Sequence, residues 1–268
     1  MLINTVILFL RDLLPIFILL TYIRAFVCPP LLNCYTLGLG ALVSLALILV
    51  LFGVSANVSE MLDGAGLEIL RASMIMLSYC SLVIGTLLAT LQREQLAKRF
   101  LFVGIILFTV VKGSAFLIFF DVYLQQTDAL YTVLTGIFVG GSICLSFSAI
   151  HFFLLQEGYA SRLRPLMVLF WWLFLAGLLG HVISPLAQVN VLSTDSAVWN
   201  TEFLIHDSSE YGHILKALVG YESTPSLAFL WLYSLAVLVP LGLRLLSRLS
   251  AAHALLRRLL AHKPEEPL

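Results

Sequence analysis

Arg11 and Asp12 stand side by side at the centre of an apolar run from Leu2 to Tyr22. Full charges inside a membrane-length apolar stretch are costly. Such residues face a bundle interior or a water-filled cavity, where they form ion pairs, carry protons or line a solute path. Lys112 and Arg71 repeat the pattern in two further apolar runs, and His181 lies near the end of another. Glu68, one helical turn before Arg71, brings a second acid to the end of its run. Two readings stand for Arg11, Asp12, Arg71 and Lys112: a salt-bridge network that ties spans together, or the lining of a transport path or proton path. His181 reads as hydrogen-bonded in the bundle or as a gating or proton residue of that path, and Glu68 as a solvated acid of the exterior mouth or a further path residue.

His206, Glu210 and His213 recur at spacings of four and three, which on a helix is one face. Two imidazoles and one carboxylate are a recognised ligand set for a transition metal. Against it, Asp207-Ser208-Ser209-Glu210 fits a capping box in which Asp207 starts the helix, and His206 then falls outside. Satisfied interfacial residues are the favoured reading there. No phosphate-binding glycine loop, nucleophile elbow, haem-attachment motif or zinc spacing occurs, so no enzyme activity and no resident cofactor are expected.

The elements that must position these residues are membrane spans. The chain has 268 residues, 60% of them hydrophobic and 11% charged, with a net charge of zero. That composition belongs to a membrane protein and argues against a nucleic-acid partner. Seven apolar runs can be counted, at about 2–23, 35–54, 69–91, 100–120, 130–155, 166–184 and 227–246. No soluble domain separates them, so a single all-α membrane domain over residues 1–268 is predicted, with its first run retained rather than cleaved.

Basic residues fall in alternate connections: Arg24; then Arg93, Lys98 and Arg99; then Arg162 and Arg164; then the tail, 247–268, with Arg244 just before it. The other connections carry Glu60, Asp63, Asp121, Asp128, Asp195, Glu202, Asp207, Glu210 and Glu222, with Lys216 their one base. Basic connections face the cytoplasm, which predicts an exterior N-terminus, a cytoplasmic C-terminus and a long exterior connection, 185–226. The acidic exterior mouths are solvated loops or a weak cation funnel. The order of intramembrane charges matches two inverted three-span repeats followed by a seventh span, a plan that places a site at mid-membrane between the copies.

Several features read as packing or surface. Trp171 and Trp172, with Trp231 and Tyr233, suit interfacial belts or lipid-facing positions. Gly136, Gly140 and Gly141 form a small-residue face for close helix packing or a homo-oligomer contact. His151 reads as interfacial. Cys80 and Cys144 read as packing residues, while Cys28 and Cys34 share one loop and could pair. Tyr211, Leu215 and Leu218 form a stripe on a short helix, ending at Gly220, that lies on or dips into the membrane surface. The tail Arg248–Arg258 reads as a basic amphipathic helix on anionic membrane lipid, followed by a frayed end, Lys263–Leu268.

The segment Trp199-Asn200, Asp207-Ser208-Ser209, Gly212, Leu215, Leu218-Val219-Gly220-Tyr221 and Pro225-Ser226, followed by a span, resembles the end of the oxidase-dependent, high-affinity iron permeases. Seven spans with the same orientation agree with that family. The resemblance implies iron as substrate, an exterior oxidase or metal-binding partner, and a multi-pass protein of the cell membrane (the inner membrane in a bacterium). It also implies two Arg-Glu-x-x-Glu motifs, in the first and fourth spans, that hold the ion. Here the first reads Arg11-Asp12-Leu13-Leu14-Pro15 and the second Val111-Lys112-Gly113-Ser114-Ala115. Asp12 is a shortened first acid; Pro15, Lys112 and Ala115 replace the others; Arg71 stands near a further expected acid, with Glu68 one turn away.

A hard iron ion wants several anionic oxygens. If the motifs face each other, Asp12 pairs with Lys112 or Arg71, and three bases outweigh one acid, a balance that suits an anion better. The expectation is therefore a transport protein of this family whose iron ligands are largely lost. Its alternatives are a transporter of a different, anionic substrate, or a non-transporting membrane scaffold for a redox partner. Space left open around Asp12 separates these, because a scaffold can pack it shut.

Overall fold

The computed structural model describes residues 2–31, 33–62, 64–126, 130–188 and 197–261, and no strand occurs among them. Seven helices are long and apolar enough to cross a membrane: Ile3–Val27, Tyr35–Ser59, Gly66–Thr90, Glu94–Val122, Val133–Ala160, Arg164–Ile183 and Leu227–Leu246. They are spans one to seven below, and the chain has the build of a multi-pass membrane protein. Some helices outrun their apolar cores. Lys98 and Arg99, read from the sequence as a connection, ride on the first turns of helix Glu94–Gln126. Gln156 and Glu157 likewise sit on helix Leu130–Ala160. Backbone hydrogen bonds continue whatever the side chain, and long charged side chains can reach water from a helix end.

Spans one and six form the centre. Spans two, five and seven lie outside and expose large apolar side chains such as Leu42, Phe138 and Trp231, as lipid-facing helices do. Trp171 and Trp172 correct the sequence reading: both are fully buried, because span six has neighbours on every side, and Trp171 packs on Tyr22 and Phe174. His151 is also turned inward, its Nδ1 2.8 Å from Thr21 Oγ1 and its ring edge-on to Tyr22.

Small residues let the spans approach closely, as membrane interfaces require. Spans three and four meet where Gly85 faces Leu101 and Gly104 faces Leu82. Ser78 and Ser81 donate across that contact to the carbonyls of Gly104 and Phe100, at 2.8 and 2.9 Å. Gly136 and Gly140 of span five seat Thr5 and Phe9 of span one, so the glycine face is used within the chain. Cys28 is a free, buried thiol. The side chains of Cys34 and of the tail beyond Leu246, together with Asp63, Asp128, Asp195 and 262–268, lie outside the described residues; the backbone of the tail continues span seven to Ala261.

The connection before span seven is folded. Ser209, not Asp207, caps helix Glu210–Val219, its hydroxyl accepting from Gly212 N–H at 3.0 Å. Asp207 is used elsewhere: its carboxylate accepts the N–H and hydroxyl of Ser223 at 2.9 and 2.8 Å, tying the two arms of the connection together. Thr201 and Val198 add backbone bonds to the carbonyls of Ser223 and Pro225. The short helix does not lie flat on a surface. It packs against spans one and six, and it stops at Gly220 (φ 70°), whose backbone touches Gly177 of span six. Gly177 is six residues inside the end of that span, so the helix tip sits about 9 Å within the bundle at 1.5 Å per residue. Tyr233 of span seven locks the tip, donating to Val219 O at 2.7 Å.

Candidate substrate cavity

Span one changes its winding where its charges stand. Phe9–Leu13 is π-helical, with the Leu14 N–H reaching the carbonyl of Phe9 five residues back. Pro15 explains the change: it has no N–H to give the carbonyl of Arg11, four residues before it. Wide turns of this kind are rare and concentrate at functional positions. The Arg11–Asp12 pair stands on that turn, about 14 Å from the span's start at Ile3.

Arg11 donates Nε and Nη2 to Asp12 Oδ2 at 3.1 and 2.7 Å, and its guanidinium also lies 4.2 Å from the Phe119 ring centre. Lys112 Nζ approaches the other oxygen, Asp12 Oδ1, at 4.0 Å. Asp12 and Lys112 are only 4% and 6% exposed, so this ion pair lies in the interior. Gly113 beside Lys112 leaves room for Ile48, which brings span two against span four at this level. Arg71 Nη1 meets Glu68 Oε1 at 3.3 Å, while Arg71 Nε is buried without a hydrogen-bond partner.

All six path candidates read from the sequence, Arg11, Asp12, Glu68, Arg71, Lys112 and His181, line one cavity of about 490 Å³. That is within the usual size of a small-molecule site, about 300–1,000 Å³. Ile75, Val111 and Ala115 supply its apolar wall, and the folded connection supplies Asp207, Ser208, His213 and Lys216. Ser208 is exposed and marks the mouth; Asp12 and Lys112 mark the buried end.

Sequence reasoning missed Lys216, Ser208 and the place of Asp207. Lys216 did carry a signal, as the single base in the acidic connections. The metal face of His206, Glu210 and His213 is not assembled. His206 bonds Ser208 at 2.8 Å and lines a different hollow with Leu204 and Tyr211, while His213 enters the charged cavity and Glu210 is exposed. The extended backbone at Ser209 (ψ 158°) breaks the face that a continuous helix would have made. Among the described residues, no three His, Cys, Asp or Glu side chains gather to hold a metal ion.

Four bases and three acids line the cavity, a formal balance of +1 with the histidines left out of the count. Burial lowers His213 from its ordinary 6.5, and the charges of Arg11 and Lys216 lower it further against a pull from Asp12 and Asp207. Of the cavity's three acids, Asp12 and Glu68 stand on spans, and each already faces a base. A hard cation entering here must displace Arg11, Lys112 or Arg71 from its carboxylate.

No protein-family model, curated protein or solved structure matches this chain.

Proposed function

We propose that this chain is a membrane transport protein built on the plan of the iron permeases, with its solute path through the Asp12–Lys112 cavity and with a cargo other than a bare iron ion. The observation that carries the reading is the cavity itself: about 490 Å³ remains open around charges that a scaffold could pack shut. Buried charge is costly, and a mouth at Ser208 leading to a buried end at Asp12 gives that cost a use.

The packing supports two inverted three-span halves. Span two packs on span four as span five packs on span one; span two meets span three as span five meets span six; spans three and six meet each other. These relations are preserved when spans one to three are exchanged with four to six, whereas the extensive contact of span three with span four has no equal between spans six and one. The cavity draws on spans one and four and on spans three and six, the pairs such an exchange would relate, and transporters of that plan bind substrate between their halves. On the charge rule, the mouth faces the exterior.

Iron uptake into proteoliposomes tests this. The native protein is expected to carry no free ferrous or ferric ion, while the Lys112→Glu, Ala115→Glu double variant, which removes a base and adds two acids, gains uptake. Native uptake abolished by Asp12→Ala overturns the claim that the iron ligands are lost. No uptake in any variant, from protein that remains folded, means that the path does not become an iron route by restoring these acids, and moves the reading to a different substrate or to a membrane scaffold for a redox partner.

A further inference from the structure

We propose that the cavity binds a small oxyanion, of carboxylate or phosphate type, held among Arg71, Lys112 and Lys216. The inference rests on the transport reading for its purpose, but the binding site stands on the geometry alone.

The carboxylates of the cavity are committed. Asp12 holds Arg11 through two hydrogen bonds and faces Lys112; Glu68 holds Arg71; Asp207 holds Ser223. The donors are not. Arg71 Nε is buried and unpartnered. Lys112 Nζ stands 4.0 Å from Asp12, beyond hydrogen-bond reach. Lys216 has no carboxylate within 4 Å among the described residues, and its charge reaches Glu222 as well as His213 without a direct pair. Arg71 and Lys112 each face one carboxylate that leaves donor capacity over, and Lys216 is half-buried. Spare donors in a low-dielectric cavity are costly, and a bound anion lowers that cost.

The arrangement also selects the kind of anion. A guanidinium offers its N–H groups in a plane that matches a carboxylate or phosphate edge, and it is weakly hydrated. Two ammonium groups add point donors that a second oxygen can use. The excess of base over acid in the lining favours an anion over a cation. Space is sufficient: a water occupies about 30 Å³ of liquid, so about 490 Å³ takes an oxyanion of several heavy atoms with some of its waters. Ile75, Val111 and Ala115 give an apolar wall on which a short carbon chain can rest.

The test uses the full-length protein purified in detergent, titrated calorimetrically with inorganic phosphate and separately with succinate, at constant ionic strength against chloride. Saturable binding of either probe is expected, and the better of the two names the class. Lys216→Gln is expected to weaken it about tenfold, the size of a lost charge-assisted bond. Ser208→Asp, at the exposed mouth, keeps the fold and is expected to weaken it as well, whereas Lys98→Gln on the far end of span four leaves it unchanged. No saturable binding of either probe, or binding that neither cavity variant alters, overturns the site. Proteoliposome uptake of the bound probe separates the two ideas: binding without uptake sinks transport and leaves the site, while no binding sinks the site and leaves transport of another solute.

Discussion

Gly177→Ala perturbs the seat of the short helix without touching any charged residue. A Cβ built at Gly177 lies 2.7 Å from the nitrogen and 2.8 Å from the Cα of Gly220. Carbon contacts are comfortable from about 3.5 Å, so the two backbones must part by about 0.8 Å. Both neighbours are main-chain atoms, and no rotamer change relieves the clash. Overpacking of this kind costs about 1–3 kcal/mol. At about 2–4 °C per kcal/mol for a chain near this size, a cost of about 2 kcal/mol lowers the melting temperature in detergent by about 4–8 °C. The displaced tip also weakens the 2.7 Å bond from Tyr233 to Val219 and moves Lys216 in the cavity. Gly38→Ala is the matched control: it lies on helix Cys34–Ser59 with nothing within 4 Å of a new Cβ, and the better helix former should raise stability slightly. Thermal unfolding followed by intrinsic fluorescence reads both. If Gly177→Ala melts with the parent protein, the backbone contact with Gly220 does not seat the helix, and the cavity wall drawn from it is wrong.

Other perturbations separate the remaining parts. Asp12→Asn removes the counter-charge of Lys112, whose side chain is 8% exposed; stability is expected to fall by about 3 kcal/mol, with most of it recovered on adding Lys112→Met, as a double-mutant melting cycle would show. Ser209→Ala removes the cap of helix Glu210–Val219 and is expected to cost about 1 kcal/mol, whereas Asp207→Ala should instead free the arms of the connection, seen as faster proteolysis between 197 and 226. His213 binds its proton less readily when folded than its ordinary 6.5, from burial first and then the charges of Arg11 and Lys216. The unfolded chain therefore takes up the proton first as pH falls, so this residue's contribution is intact above about 6.5 and is lost as the pH drops through that value toward the folded one. His213→Gln should flatten the melting temperature between pH 7 and pH 5.

Much of this site was legible in the sequence because the physics leaves few choices. Charges inside spans cannot face lipid, so Arg11, Asp12, Arg71 and Lys112 had to meet in the interior, and they line one cavity. The spans themselves follow from hydropathy. Lys216 and Asp207 were hidden because their places depend on a close backbone contact, Gly177 against Gly220, between residues far apart in the chain. The His206–Glu210–His213 face is broken by a cap at either Asp207 or Ser209. The actual cap, Ser209, lies three residues beyond His206, and the choice between two nearby good caps is not settled by residue type. Burial of Trp171 and Trp172 was hidden for another reason: a span that is apolar all round does not mark which side meets lipid. Pro15 was visible, and its effect on the winding at Arg11 could have been drawn from its missing N–H alone.

Ala115 lines the cavity without carrying charge, partly exposed between the mouth and Lys112. Replacing Cys28, Cys34, Cys80 and Cys144 and introducing Ala115→Cys gives one reporter thiol in the path. A membrane-impermeant thiol reagent applied to intact cells or sealed vesicles then asks whether water and solutes reach it. Modification is expected from the side of the 197–226 connection, slowed by the anion that occupies the cavity. A thiol that stays unmodified from both sides, in protein that remains folded, would contradict a solute path through this cavity.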